Sequence, residues 1–353
     1  MKKKQVVSIL LTFVLMVGGL TACGSSNSNT ASKGSLNIYV WTEYVPDSVI
    51  QNFENETGIK VNVSTYSTNE DMLAKVKSEK SGTFDIVQPS DYMVEQMIGQ
   101  GMLQKLDQSA MTNKKNIGSA FLNRSYDPNN QYSMPYLGGV AAIAVNTSKI
   151  KDNITSYADL FNSKYKNTMV ALDDYRAVIG MAARSMGMSM NETNDAKLAK
   201  IKAQTLKLKD NIKVYDSDSP KSELISGDCT LGYCWNAEIA LAMQENPAIK
   251  IVYPKEGAYE FLDNWCITKG AKNAANANKF INYMMKVETA KAVSEESPYL
   301  QPNKAAVALL GEKYKNNKAE NIPEDVIRNG EFLKNLDTAT LAKYNAIWTE
   351  LKK

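Results

Sequence analysis

From residue 36 onward the hydrophobic positions recur with two alternating periods. Residues 36–41 alternate in strand fashion, and Pro46-Asp47 then opens a helix that puts Val49, Ile50 and Phe53 on one face. Gly58 ends that helix before a strand-like run over 59–63, so the first thirty residues of the pattern predict a β-α-β unit. A second helix is expected over 69–80 and a strand over 84–87, which breaks at Pro89-Ser90 into another helix. Further along, 139–146 is apolar and β-branched enough for a buried strand, 169–172 for another, and 176–186 is helical with Gly187 as its stop. The strand signal returns at 231–235 and 249–253. Helical spacing covers 271–295, the region around Leu309 and 338–351. Strands alternating with helices predict an α/β fold wound around a largely parallel sheet.

The chain before residue 36 follows a different pattern. Met1-Lys2-Lys3-Lys4 precedes an apolar run over 6–20 and then Leu20-Thr21-Ala22-Cys23, which marks residues 1–22 as a signal peptide ending in a lipobox. The apolar run is shorter than the roughly 20 residues of a membrane-spanning helix. A diacylglycerol on Cys23 would anchor the mature chain to the outer face of a bacterial membrane, each buried methylene contributing about 0.8 kcal/mol. Residues 23–35 are small and polar and are expected to form a flexible tether. Removing the leader with Lys2, Lys3 and Lys4 leaves 38 basic against 38 acidic side chains, so no basic face argues for nucleic acid. The mature chain, roughly 320 residues, exceeds one ordinary core and predicts two lobes.

Composition also limits the chemistry. The absence of histidine removes the usual general base, the Ser-His-Asp and Cys-His pairs and imidazole metal sites. Ser163 and Lys166 have Ser-x-x-Lys spacing, but no Lys-Thr-Gly or Ser-Asp-Asn partner follows. Asp216-Ser217-Asp218-Ser219 lacks the glycine and distant glutamate of a calcium loop and predicts a turn. Cys229, Cys234 and Cys266 lack zinc spacing and are expected as buried thiols, with a Cys234 to Cys266 bridge left open. No enzyme, cofactor or metal is expected.

In open α/β sheets ligands bind beyond the carboxyl ends of strands. Trp41-Thr42-Glu43-Tyr44 follows the first predicted strand, Ser90-Asp91-Tyr92 the third, Asp173-Asp174 another and Trp235-Asn236 a fourth. Ring faces attract cations and cover methylenes while carboxylates neutralise a desolvated charge, so this set suits an alkylammonium ligand.

The same stretches resemble the extracytoplasmic spermidine/putrescine-binding proteins of polyamine ABC importers. The resemblance runs from Leu36 to Leu351 and rests on Trp41-Thr42-Glu43-Tyr44-Val45-Pro46, Glu56-Thr57-Gly58-Ile59-Lys60-Val61, Phe84-Asp85-Ile86-Val87 with Ser90 and Tyr92, and Tyr132-Ser133-Met134-Pro135-Tyr136. Leu172-Asp173-Asp174, Tyr215-Asp216-Ser217-Asp218, Tyr253-Pro254-Lys255-Glu256-Gly257 and Tyr299 with Pro302-Asn303 continue it. It implies a two-lobed type II periplasmic-binding-protein fold with hinge crossovers near Gly139 and Leu262, one lobe formed by 36–139 plus 263–305 and the other by 140–262 plus 306–353. It also implies aromatic walls at Trp41, Tyr44, Tyr92, Trp235, Phe261 and Tyr299, carboxylates at Glu43, Asp174 and Asp263, and polar supports at Thr42, Ser90 and Ser217. The implied protein is a monomer that hands its polyamine to a membrane permease driven by a cytoplasmic ATPase. Two departures bear on the ligand. Ala177 stands where the family's spermidine binders carry a glutamate one turn after the aspartate, and Phe261 where they have tryptophan. The same fold with another cationic or zwitterionic solute is the alternative these departures leave.

Overall fold

The computed structural model describes residues 34–353. The signal peptide, Cys23 and most of the tether lie outside the described residues.

The expected β-α-β opening is present as β1 (Ser35–Trp41), α1 (Asp47–Thr57) and β2 (Lys60–Tyr66), the two strands running parallel. Gly58 adopts φ 73° and donates its N–H to the Glu54 carbonyl, a left-handed stop that favours glycine. Val49, Ile50 and Phe53 form the buried face of α1, each contributing roughly 1.5–3 kcal/mol on full burial. Next come α2 (Asn69–Ser78), capped by the Thr68 hydroxyl, then β3 (Ile86–Val87), α3 (Asp91–Gly99) and β4 (Leu103–Gln104).

A long strand, β5 (Ser133–Asn146), is buried along its whole length and begins six residues before the position its sequence suggests. Beyond it lie β6 (Met169–Ala171), α4 (Tyr175–Arg184), α5 (Asp195–Leu206), β7 (Ile212–Tyr215), α6 (Lys221–Ser226), β8 (Leu231–Trp235), α7 (Asn236–Glu245) and β9 (Ile249–Val252). The chain returns through β10 (Tyr259–Thr268), a ten-residue strand buried throughout that the hydrophobic pattern did not announce. The helical region after it is two helices, α8 (Ala274–Met284) and α9 (Val287–Glu296), because Lys286 takes an extended conformation. The amides of Asn116 and Asn303 satisfy the Met285 carbonyl at that break. Short helices α10 (Lys304–Val307), α11 (Glu312–Asn316) and α12 (Glu324–Asn329) lead to β11 (Glu331–Phe332) and α13 (Thr338–Leu351).

The strands form one mixed sheet in the order β2-β1-β3-β10-β5-β8-β6-β7, with β4 and β11 added to β10 and β9 to β5. The antiparallel pair β5 and β10 therefore joins an arm made of β1 to β3 to an arm made of β6 to β8. The two expected crossover points lie one residue out of register on this pair, Gly139 opposite Phe261 and Leu262 opposite Gly138. The register then slips: Tyr136 and Leu137 of β5 face the single residue Asp263 of β10. Pro135 lies beside this bulge, where a strand tolerates the loss of a donor.

Candidate functional site

The bulge turns Asp263 out of the β5 ladder and into a bridge with Ser90 at the start of α3. The Ser90 hydroxyl donates to Asp263 Oδ1 at 2.6 Å and the Tyr44 hydroxyl to Oδ2 at 2.8 Å. The neighbouring Leu262 N–H donates to Asp91 Oδ2 at 3.0 Å, so the irregularity leaves no orphan there. Burial pushes the Asp263 carboxyl up to about 7, while the Ser90 and Tyr44 hydroxyls favour its charged form. Burial likewise pushes Asp91 up to about 8. Asn69 completes the arrangement: its amide donates to the Ser90 hydroxyl at 3.0 Å and its carbonyl accepts the Ser90 N–H at 3.2 Å.

The exit of β1 supplies one wall. Thr42 is tied to the Tyr66 carbonyl through its N–H at 3.1 Å, and Glu43 takes a left-handed φ of 52° that reverses the chain. Tyr44 is fixed from behind by the Tyr136 hydroxyl, which donates to its carbonyl at 2.9 Å. A strip of rings runs on from it. Tyr44 meets Tyr299 edge-on at 5.0 Å, Tyr299 meets Phe261 at 6.0 Å, and Phe261 meets Trp235 at 5.1 Å, with Tyr259 at 5.9 Å from Trp235. Edge-to-face packing of this kind keeps the ring faces in fixed directions.

The β6 to β8 arm supplies the opposite wall. Asp174 caps α4, accepting the Ala177 N–H at 3.0 Å, and burial raises its pKa. Asp216 accepts the N–H groups of Asp218 and Ser219 at 2.8 and 3.0 Å, which makes the predicted turn and presents Ser217 and Asp218. The Ser67 hydroxyl, following β2, donates to Asp218 Oδ2 at 2.8 Å and so links the two arms. Lys221 does the same, with Nζ 3.1 Å from Glu43 Oε2 and 2.9 Å from Glu238 Oε2. Burial raises the pKa of Glu238 against the lowering pull of Lys221.

Together these residues line a narrow cleft. Of the residues expected to form the site, Trp41, Thr42, Glu43, Tyr44, Ser90, Asp174, Ser217, Trp235, Phe261, Asp263 and Tyr299 line it. Tyr92 stands behind the wall: its ring lies under the Arg176 guanidinium and its hydroxyl donates to Glu70 Oε1 at 3.1 Å. Ser67, Asn69, Asp218, Glu238 and Tyr259 also line the cavity and were not anticipated. Only Asp218 carried a signal, beside Ser217 in the predicted turn. Five carboxylates and, among the described residues, no lysine or arginine face the space. Trp41 Nε1 and Ser217 Oγ are buried there without a partner in the protein. A wider hollow shares Ser67, Asp174, Ser217 and Asp218 and adds Glu70, Asp71, Asp173 and Asp216, an acidic approach that attracts cations.

The other expected chemistry lies elsewhere. Ser163 and Lys166 are exposed, Lys166 reaching only toward Asp210. Cys229, Cys234 and Cys266 are free and buried. Among the described residues no His, Cys, Asp or Glu group is arranged to hold a metal, and no helix is long and apolar enough to cross a membrane.

A slot between two arms of one sheet, walled by rings and carboxylates and flanked by a wider acidic hollow, is the geometry of a solute receptor. The chain belongs to the bacterial extracellular solute-binding protein family, whose model matches residues 48–322. It is 39% identical over 339 residues to the spermidine/putrescine-binding periplasmic protein of Salmonella typhimurium, covering 96% of this chain and 97% of that one. A spermidine/putrescine ABC transporter protein of Listeria monocytogenes superposes with a TM-score of 0.87 at 35% identity, over 90% of this chain and 98% of that one. The corresponding substrate-binding protein of Streptococcus pneumoniae does so with a TM-score of 0.77 at 32% identity, over 90% and 98%. The fold is accordingly the two-lobed type II periplasmic-binding fold, and the family is one of extracytoplasmic transport receptors, not enzymes.

Proposed function

We propose that the protein captures spermidine or putrescine between its lobes and delivers it to an ABC permease driven by a cytoplasmic ATPase. The observation that carries this reading is Asp263, buried at one end of a strip of aromatic rings with its charged form supported by two hydroxyls. An ammonium placed there gains a carboxylate, and the methylenes that follow it lie along Tyr44, Tyr299, Phe261 and Trp235. Asp174 serves a second ammonium, with Ser217, Thr42 and the Trp41 indole as polar supports. Glu43 completes the carboxylates on the other wall. The relatives named above are called spermidine/putrescine proteins, which supports the same class of ligand. A betaine-like solute needs a free cation for its carboxylate, and none lines the cavity among the described residues.

The lobes in this reading are 36–139 plus 263–305 and 140–262 plus 306–353, hinged near Gly139 and Leu262. The ligand touches both lobes only when they are closed, so binding favours closure by that differential affinity. The mature protein acts as a monomer, tethered by a lipid on Cys23. Calorimetric titration of the soluble domain begun at Ser25 tests the reading with spermidine, putrescine and glycine betaine in parallel. Micromolar or tighter binding of a polyamine with betaine silent supports it. Betaine binding with both polyamines silent refutes it.

A further inference from the structure

Lys221 is placed at the first position of α6, directly after Pro220, and its side chain is only 21% exposed. Its ammonium lies between two carboxylates that both line the cavity, 3.1 Å from Glu43 and 2.9 Å from Glu238, which is itself 6% exposed. Glu43 and Lys221 are 178 residues apart in sequence, so the contact is made by the fold and not by local chain geometry. One cation belonging to the protein thus occupies the position that a ligand amine would take between Glu43 and Glu238. At the other stations no protein ammonium intervenes. Asp263 accepts from the Tyr44 and Ser90 hydroxyls, Asp218 from the Ser67 hydroxyl, and Asp174 from backbone N–H of its own helix.

Resting on the polyamine reading, we infer that Lys221 is a specificity-determining residue that presets the cleft for a diamine over a triamine. Two ammonium groups find Asp263 and Asp174. A third finds one oxygen each of Glu43 and Glu238 held by Lys221, Asp218 already accepting the Ser67 hydroxyl, and at Ala177, one turn beyond Asp174, a buried methyl group. A desolvated ammonium short of acceptors is costly, so the extra charge of a triamine either displaces Lys221 into a buried, like-charged position or competes with the Ser67 hydroxyl for Asp218. Removing the Lys221 ammonium opens that corner.

The test compares putrescine and spermidine on the mature chain, as wild type, as Lys221→Ala and as the double variant Lys221→Ala with Glu238→Gln. The double variant leaves no unpaired buried carboxylate at 238, so it keeps the question answerable if the single variant folds poorly. The wild type is expected to prefer putrescine. Both variants are expected to shift the ratio of the two dissociation constants toward spermidine by about tenfold or more, the size of one charged hydrogen bond gained. A wild-type preference for spermidine overturns the inference, as does a ratio that stays within about twofold of wild type in the variants that fold. A wild type that binds neither amine overturns the polyamine reading itself, and the inference with it.

Discussion

The Tyr44 hydroxyl donates to Oδ2 of Asp263 at 2.8 Å, joining the exit of the first strand to the central bulge across 219 residues of sequence. Both groups are buried, and the bond is one of two that hold the carboxylate facing the ring strip. Asp263→Asn is expected to weaken polyamine binding by about 1.5–3 kcal/mol, the usual contribution of a hydrogen bond to a charged group. Tyr44→Phe is expected to cost less, about 0.5–1.5 kcal/mol, since the carboxylate keeps Ser90. Calorimetric affinities of the two variants check the order. An unchanged affinity for Asp263→Asn removes Asp263 from the site.

Binding and stability should respond to pH in opposite directions. In the ligand-free protein burial holds Asp263, Glu70 and Glu260 at about 7 and Asp91 at about 8, against ordinary values of 3.8 for aspartate and 4.5 for glutamate. Between those ordinary values and about 7 the folded state binds more protons than the unfolded one, so these groups make the ligand-free protein less stable as pH rises through that window. A bound ammonium favours ionised Asp263. Below about pH 7 binding must therefore expel a proton, and affinity should fall by up to about tenfold per pH unit for that group. Titrations between about pH 5.5 and 8 should show the slope in the wild type and its loss in Asp263→Asn. Retention of the slope in the variant assigns it to another carboxyl.

On β5, a Cβ on Gly139 would lie 2.3 Å from Asn236 Oδ1 and 2.9 Å from the Phe261 ring. Asn236 cannot yield freely, because it accepts the Val140 N–H at 3.0 Å and donates to the Ala319 carbonyl at 2.8 Å. Gly139→Ala is expected to destabilise the fold by about 1–3 kcal/mol in chemical denaturation, the usual cost of overpacking. It should also weaken polyamine binding, because the displaced Phe261 lines the cavity. A neutral substitution would mean that the two crossover strands have slack at this point.

Lipid anchoring is tested by Cys23→Ser in cells fed a labelled fatty acid. The wild type is expected to carry label and to sediment with membranes, whereas the variant is expected to lose both properties. A variant that remains labelled places the lipid elsewhere.

The order of elements through the first arm was legible because α1 and α2 have one apolar face and clear stops. Strand β10 was not. It carries Glu260, Asp263 and Asn264 within ten buried residues, and Asp263 and Asn264 find partners in Ser90, Tyr44 and Tyr126, which come from distant segments. For the same reason strand exits and family resemblance pointed to Trp41, Ser90 and Asp174, which line the cavity, while Ser67, Asn69 and Glu238, which also line it, had no local signal. Glu238 reads as one more polar position on α7 until Lys221 is seen beside it. Tyr92 shows the converse: it is next to a strand exit, but its hydroxyl donates to Glu70 and it does not line the cavity.

The most direct test of the account is a crystal structure of the mature domain grown with saturating putrescine or spermidine. The account requires an amine nitrogen within about 2.7–3.2 Å of an Asp263 oxygen, with the following methylenes against Tyr44, Tyr299, Phe261 and Trp235. A polyamine bound away from Asp263, or a closed cleft left empty at saturation, would contradict it.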